Sequence, residues 1–128
     1  MKRKDISQRT DLIKIVDHFY EKVRKDEVLS RMFLHVNWNT HLPLMYDFWD
    51  NVMFHTGNYT GNPMAKHYTS HQKNPMNESH FSRWLLLFGK SVDELFEGVN
   101  ADILKERANS IATIMRLKIL SPERTSLL

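Results

Sequence analysis

The chain of 128 residues contains no cysteine. That excludes a disulfide framework, a thiolate metal site and a cysteine nucleophile, and it fits a reducing compartment. Glycine and proline number four each, so long helices have room. The longest apolar run, Trp84 to Phe88, is far too short to span a membrane, and no membrane partner is expected. The opening MKRKDISQRTD starts basic but lacks the apolar stretch of a secretory signal. The net charge is only +3. Its basic residues are scattered apart from Lys2, Arg3 and Lys4, which reads as solvated surface. No helix gathers arginines for a groove, so nucleic acid is not an expected partner. A dinucleotide fingerprint, a P-loop and a GxSxG elbow are also missing.

What the chain does have is helical periodicity from end to end. Residues 10–25 place Ile13, Val16, Tyr20 and Val23 on one face, with Leu12 and Phe19 beside it, and Thr10 reads as the N-cap. DEVLSRMF suggests a short turn of helix. Residues 38–55 put His41, Met45, Phe48 and Trp49 on one face, at i, i+4, i+7 and i+8. GNYTGNP at 57–63 then breaks the pattern. A short helix at 64–70 is expected to carry His67, followed by a loop that ends at a cap near Asn77. Residues 79–97 align Phe81, Trp84, Leu85, Phe88, Val92 and Leu95, and Gly98 reads as the stop. Asn100 reads as the cap of a last helix over 101–119, with Leu104, Ala108, Ile111, Ala112, Met115 and Ile119 inward. One all-α domain over 1–128 is expected, with its core at about 7–119 and a frayed tail at 120–128.

The histidines carry the chemistry. A buried imidazole costs free energy without a partner, so a lone histidine on an apolar face needs a reason. Several such histidines facing aromatic rings suggest a flat cofactor with a metal at its centre. His67 is the leading ligand candidate, on a short helix between loops; the alternative is a surface histidine. His71 follows at i+4, a spacing that zinc also uses, but no third ligand completes a zinc site. Tyr20, His41 and Trp84 are polar-tipped groups on three different apolar faces. If they converge, they supply hydrogen-bond donors to a dry pocket. Otherwise Tyr20 and Trp84 are ordinary packing, and His41 is a core histidine satisfied by a carbonyl. Phe33, Met45, Phe48 and Trp49 read as core, and the seven methionines as gap-fillers.

Five stretches carry a family resemblance: HFYEKVRKD at 18–26, HLPLMYDFW at 41–49, YTGNPMAKH at 59–67, HFSRWLLLF at 80–88 and SVDELFEG at 91–98. In this order they resemble the truncated haemoglobins of the third group, also called P. The glycine pairs of the first two groups are missing. The resemblance implies a two-over-two helical sandwich around haem b. It implies that His67 is the proximal iron ligand, Tyr20 and His41 the distal pair, and Trp84 the indole that faces the ligand. It places Phe33 at the haem edge and Met45 at the distal wall, with Phe48 joining the cofactor-binding set. Lys66 and Arg83 are the candidate cations for the haem propionates.

The same resemblance implies binding of dioxygen, nitric oxide, carbon monoxide and cyanide. Several distal donors imply slow release, which suits oxygen or nitric oxide redox chemistry better than transport. A nitric oxide dioxygenase or a peroxidase-like activity would need an electron-donating reductase. The expected setting is a monomer in a bacterial cytoplasm. The competing functions are a diatomic-ligand sensor or store and, from a different class, a haem-free helical interaction module.

Overall fold

The computed structural model describes residues 3–57, 59 and 76–120. The expected helix at 64–70, its His67, and His71 lie outside them, as does the tail from 121. The described residues form four α-helices and one 3-10 turn, without a strand. Helix α1 is Arg9–Lys25, the 3-10 turn is Ser30–Phe33, α2 is Trp38–Phe54, α3 is Glu78–Leu95 and α4 is Val99–Leu120. Helix α1 packs against α2 and α3, and α3 packs against α4.

Each helix buries the stripe its period dictates, with small rotations. In α1 the buried set is Leu12, Ile15, Val16, Phe19, Tyr20 and Val23, while Ile13 is only half-buried. Helix α3 turns its Leu87 and Ser91 inward beside Phe81, Phe88 and Val92; Trp84, Leu85 and Leu95 are half-buried. The buried Ser91 hydroxyl donates to the Leu87 carbonyl at 2.8 Å, which satisfies it inside its own helix. In α4, Ala101, Leu104, Ala108, Ala112 and Met115 are buried, and Ile111 is half-buried.

The expected cap at Asn77 is present. Its side-chain oxygen accepts from the Ser79 and His80 amides, and its own amide donates to His80 Nδ1 at 2.9 Å. The pair closes a capping box in which histidine takes the place usual for Glu or Gln. Three other expected helix ends differ. Thr10 does not cap α1: Gln8 holds the N-cap position, and no side chain there makes the bond. Buried Asp11 reaches back instead to the Ser7 amide at 2.9 Å. Helix α3 ends before Gly98, because Phe96 turns to extended backbone and buries its ring.

Asn100 does not cap α4 either. The carboxylate of Asp5 accepts from the Asn100 amide at 3.0 Å and from the Ala101 amide at 2.9 Å. An anion therefore meets the positive end of the last helix from 95 positions upstream. Gly98 makes the approach possible. It sits at φ +139°, and a Cβ there would stand 2.5 Å from Asp5 Cγ. Burial works to raise the Asp5 pKa, but the amides of Asn100, Ala101 and Ile6 outweigh it and hold the group below 3.8.

A group with a depressed folded pKa stabilises fully above its unfolded value and loses that contribution as pH falls through the folded one. Asp5→Ala should therefore cost about 1–2 kcal/mol at neutral pH. The gap to the parent chain should shrink below pH 3.8. Urea unfolding of both chains at neutral and acid pH measures it, and a gap that does not change with pH would refute the charge-linked cap.

Candidate functional site

The four helices and the 3-10 turn line a cavity of about 270 Å³. Helix α1 contributes Tyr20, the 3-10 turn and its flanks Leu29, Met32, Phe33 and Val36, and α2 contributes His41, Met45, Phe48 and Trp49. From the other side come His80, Phe81 and Trp84 of α3, and Ile111, Ala112 and Met115 of α4; Tyr59 and Met76 also line it. Six sequence candidates thus meet in one wall: Tyr20, Phe33, His41, Met45, Phe48 and Trp84. The wall is hydrocarbon, thioether and aromatic ring, interrupted by a few polar tips.

Those tips are arranged rather than scattered. Tyr20 Oη lies 3.1 Å from His41 Nε2, a hydrogen bond whose donor is set by the His41 tautomer. Burial pushes the Tyr20 phenol well above its ordinary pKa, so it keeps its proton at neutral pH. Its ring is packed edge-on to Phe19 at 4.9 Å, Phe33 at 5.7 Å and His41 at 5.1 Å. The Trp84 indole is held on a stack of rings. It lies 5.3 Å from Phe88 with the planes 7° apart, and Trp49 closes the stack at 4.7 Å from Phe88. Packing on this floor fixes where the indole N–H is presented.

Two wall groups were not assigned a role from sequence. Tyr59 has a buried hydroxyl without a hydrogen-bond partner among the described residues. Burial raises its pKa, so it remains a donor. The ring is fixed edge-on to Phe48 at 5.2 Å. His80 spends Nδ1 on the Asn77 amide, and so carries its proton on Nε2. The only signal for Tyr59 was its place in the YTGNPMAKH stretch, because a loop residue leaves no period.

Arg83, a candidate for an acidic cofactor edge, is occupied elsewhere. Its Nε donates to Asp26 at 2.6 Å, and it is not in the cavity wall. Asp26 also accepts from the Val28 and Leu29 amides at 3.1 and 2.9 Å. This carboxylate fixes the turn that delivers Leu29 and Phe33 to the cavity. Lys66 lies outside the described residues. Among the described residues no group of three or more His, Asp or Glu side chains could hold a metal ion.

The family model for bacterial-like globins matches residues 5–119. The chain is 30% identical over 119 residues to a group 3 truncated hemoglobin of Campylobacter jejuni, covering 88% of this chain and 91% of that protein. The crystal structure of the group III truncated hemoglobin from Campylobacter jejuni superposes with a TM-score of 0.81 at 28% identity. That match covers 93% of this chain and 95% of the other. The helix arrangement is the two-over-two sandwich of those proteins.

Proposed function

The chain belongs to the bacterial-like globin family, and from that premise we propose that it holds haem b in this cavity and uses it for oxygen or nitric oxide redox chemistry. Globin membership implies haem binding. The cavity suits the group: aromatic and thioether walls take a flat apolar ring, and the Tyr59 phenol, unpartnered among the described residues, and the His80 Nε2–H would serve as donors toward its acidic edge. The absence of cysteine leaves no thiol for covalent attachment, which supports a non-covalently held b-type group. When bound, the haem supplies an iron centre for a diatomic ligand.

The observation that carries the redox reading is the Tyr20–His41 pair, 3.1 Å apart, in the wall that also presents the Trp84 indole. Tyr20, His41 and Trp84 would donate to a polarised diatomic ligand and exclude water around it. Phe33, Met45 and Phe48 would grip the ring, and His67 would supply the proximal nitrogen. Donors of this kind slow the release of dioxygen and favour its reaction with nitric oxide or reductive chemistry. Either activity, dioxygenase or peroxidase-like, draws electrons from a separate reductase. The proposed form is a monomer in the cytoplasm, one domain over 1–128. No helix among the described residues is long and apolar enough to cross a membrane.

Reconstitution with haem tests this reading. A Soret band at one haem per chain is expected, with dioxygen, carbon monoxide, nitric oxide and cyanide each shifting it. A chain that folds with the same helix content and never develops that band would be a haem-free helical module instead.

A further inference from the structure

Trp38 is absent from the cavity wall, yet it touches three rings that form it. Its centroid is 5.2 Å from Tyr20 and 5.6 Å from His41, both edge-on, and 5.8 Å from Phe33 in a stacked arrangement. On Trp38 rests the guanidinium of Arg24, 4.0 Å from the ring centroid. Arg24 belongs to the last turn of α1, and Trp38 opens α2.

The first turn of α2 is therefore tied to α1 at two points. One is the His41–Tyr20 hydrogen bond, inside the cavity. The other is the Arg24–Trp38 stack behind it. Both ties act on the same turn, because Asn37 receives the Thr40 and His41 amides at 3.1 and 2.8 Å and so binds Trp38 and His41 into one unit. For the His41 imidazole to leave Tyr20, it must move within a box made by Tyr20, Phe33 and Trp38.

We propose that Arg24 and Trp38 are positioning residues that hold His41 against Tyr20 and thereby set how fast a diatomic ligand enters the cavity. Neither touches the ligand. A cation resting on an indole face is attracted by the ring quadrupole, and Trp is the best such platform. With that attraction the α2 turn stays docked and the His41–Tyr20 bond stays closed. Without it the closed form is less populated, and entry accelerates. The proposal rests on the cavity being the ligand site.

The test compares Arg24→Gln, Arg24→Lys and Trp38→Leu with the parent, all as haem-loaded ferrous protein. Carbon monoxide association after flash photolysis should rise by about two- to fivefold in Arg24→Gln. Arg24→Lys, which restores a cation over the ring, should return much of the way to the parent rate. Arg24→Gln should add nothing once Trp38→Leu is present, because the shared contact is already gone. A second readout does not depend on ligand kinetics. The ring nitrogen resonances of His41 report its bond to Tyr20, and they should move toward the unbonded position in Arg24→Gln and Trp38→Leu, and not in Arg24→Lys.

Unchanged association together with unchanged His41 resonances in Arg24→Gln would overturn the proposal. So would an Arg24→Gln effect that persists in full on the Trp38→Leu background. A parent chain that takes up no haem refutes the functional reading, and the His41 resonances then still decide whether Arg24 and Trp38 position the ring.

Discussion

Dioxygen should leave a Tyr20→Phe variant about ten times faster than the parent protein, or faster still. The phenol is buried and its burial keeps it protonated, so the substitution deletes a true donor while the ring packing against Phe19 and Phe33 survives. A neutral hydrogen bond is worth about 0.5–1.5 kcal/mol net, and one to a charged acceptor about 1.5–3. A factor of ten in rate is about 1.4 kcal/mol. A polarised dioxygen therefore loses roughly one decade or more in retention. Carbon monoxide is less polarised and should respond less, which separates hydrogen bonding from a general loosening of the cavity. Trp84→Phe probes the second donor on its stacked floor, and the double variant measures whether the two act independently. Stopped-flow release rates decide it. If both single variants release dioxygen at the parent rate, the polar-pocket mechanism fails, and with it the case for redox chemistry on a retained ligand.

Removing His67 should have the larger effect on the cofactor itself. His67→Gly is expected to lose stable haem retention, because the ring would then be held by apolar contact and edge hydrogen bonds alone. Free imidazole should restore a bound, five-coordinate ferrous form by occupying the space the side chain leaves. Transfer of haem to an excess of a stronger acceptor globin measures the loss. A variant with the parent Soret band, the parent ferrous spectrum and the parent transfer rate would show that His67 is not the ligand, and His71 would become the next candidate. The His67 assignment rests on the match of the PMAKH stretch to the family, and that stretch lies outside the described residues.

The part of this molecule legible in sequence is the part governed by a helical period. Helix α2 shows it most clearly. His41, Met45, Phe48 and Trp49 share a face by spacing alone, and all four line the cavity. The stripes of α1, α3 and α4 were readable in the same way, although Ile13 lost its place to Ile15 by a small rotation. What spacing does not reveal is which face meets which. The Tyr20–His41 bond joins residues 21 positions apart on two helices; sequence offered the two as groups that could converge on one pocket, not as partners of each other. Arg83 shows the converse. Offered with the resemblance as a cation for the haem propionates, it is taken by the buried Asp26, whose carboxylate also accepts from the Val28 and Leu29 amides. Tyr59 stands on a loop, where no period betrays burial.

Helix ends were the least legible, for a related physical reason. A cap satisfies orphan backbone groups, and the donor or acceptor can come from any distance. Asn77 supplies its own and was identified; the start of α4 takes its acceptor from Asp5, and no local motif could say so.

That long-range cap bears on the order in which the chain can be built. Asp5 leaves the ribosome before its two amide partners, which are made 95 and 96 positions later. Throughout that interval the carboxylate has only the neighbouring Ile6 amide to hold. Helix α1 can form and meet α2, and α3 can dock, all before the clamp has a target. The contact that ties the segment before α1 to the start of α4 is then among the last to close, and its formation reports that α4 has begun. A peptide beginning later than residue 5 would reach the same four helices with the final one left open at its positive end.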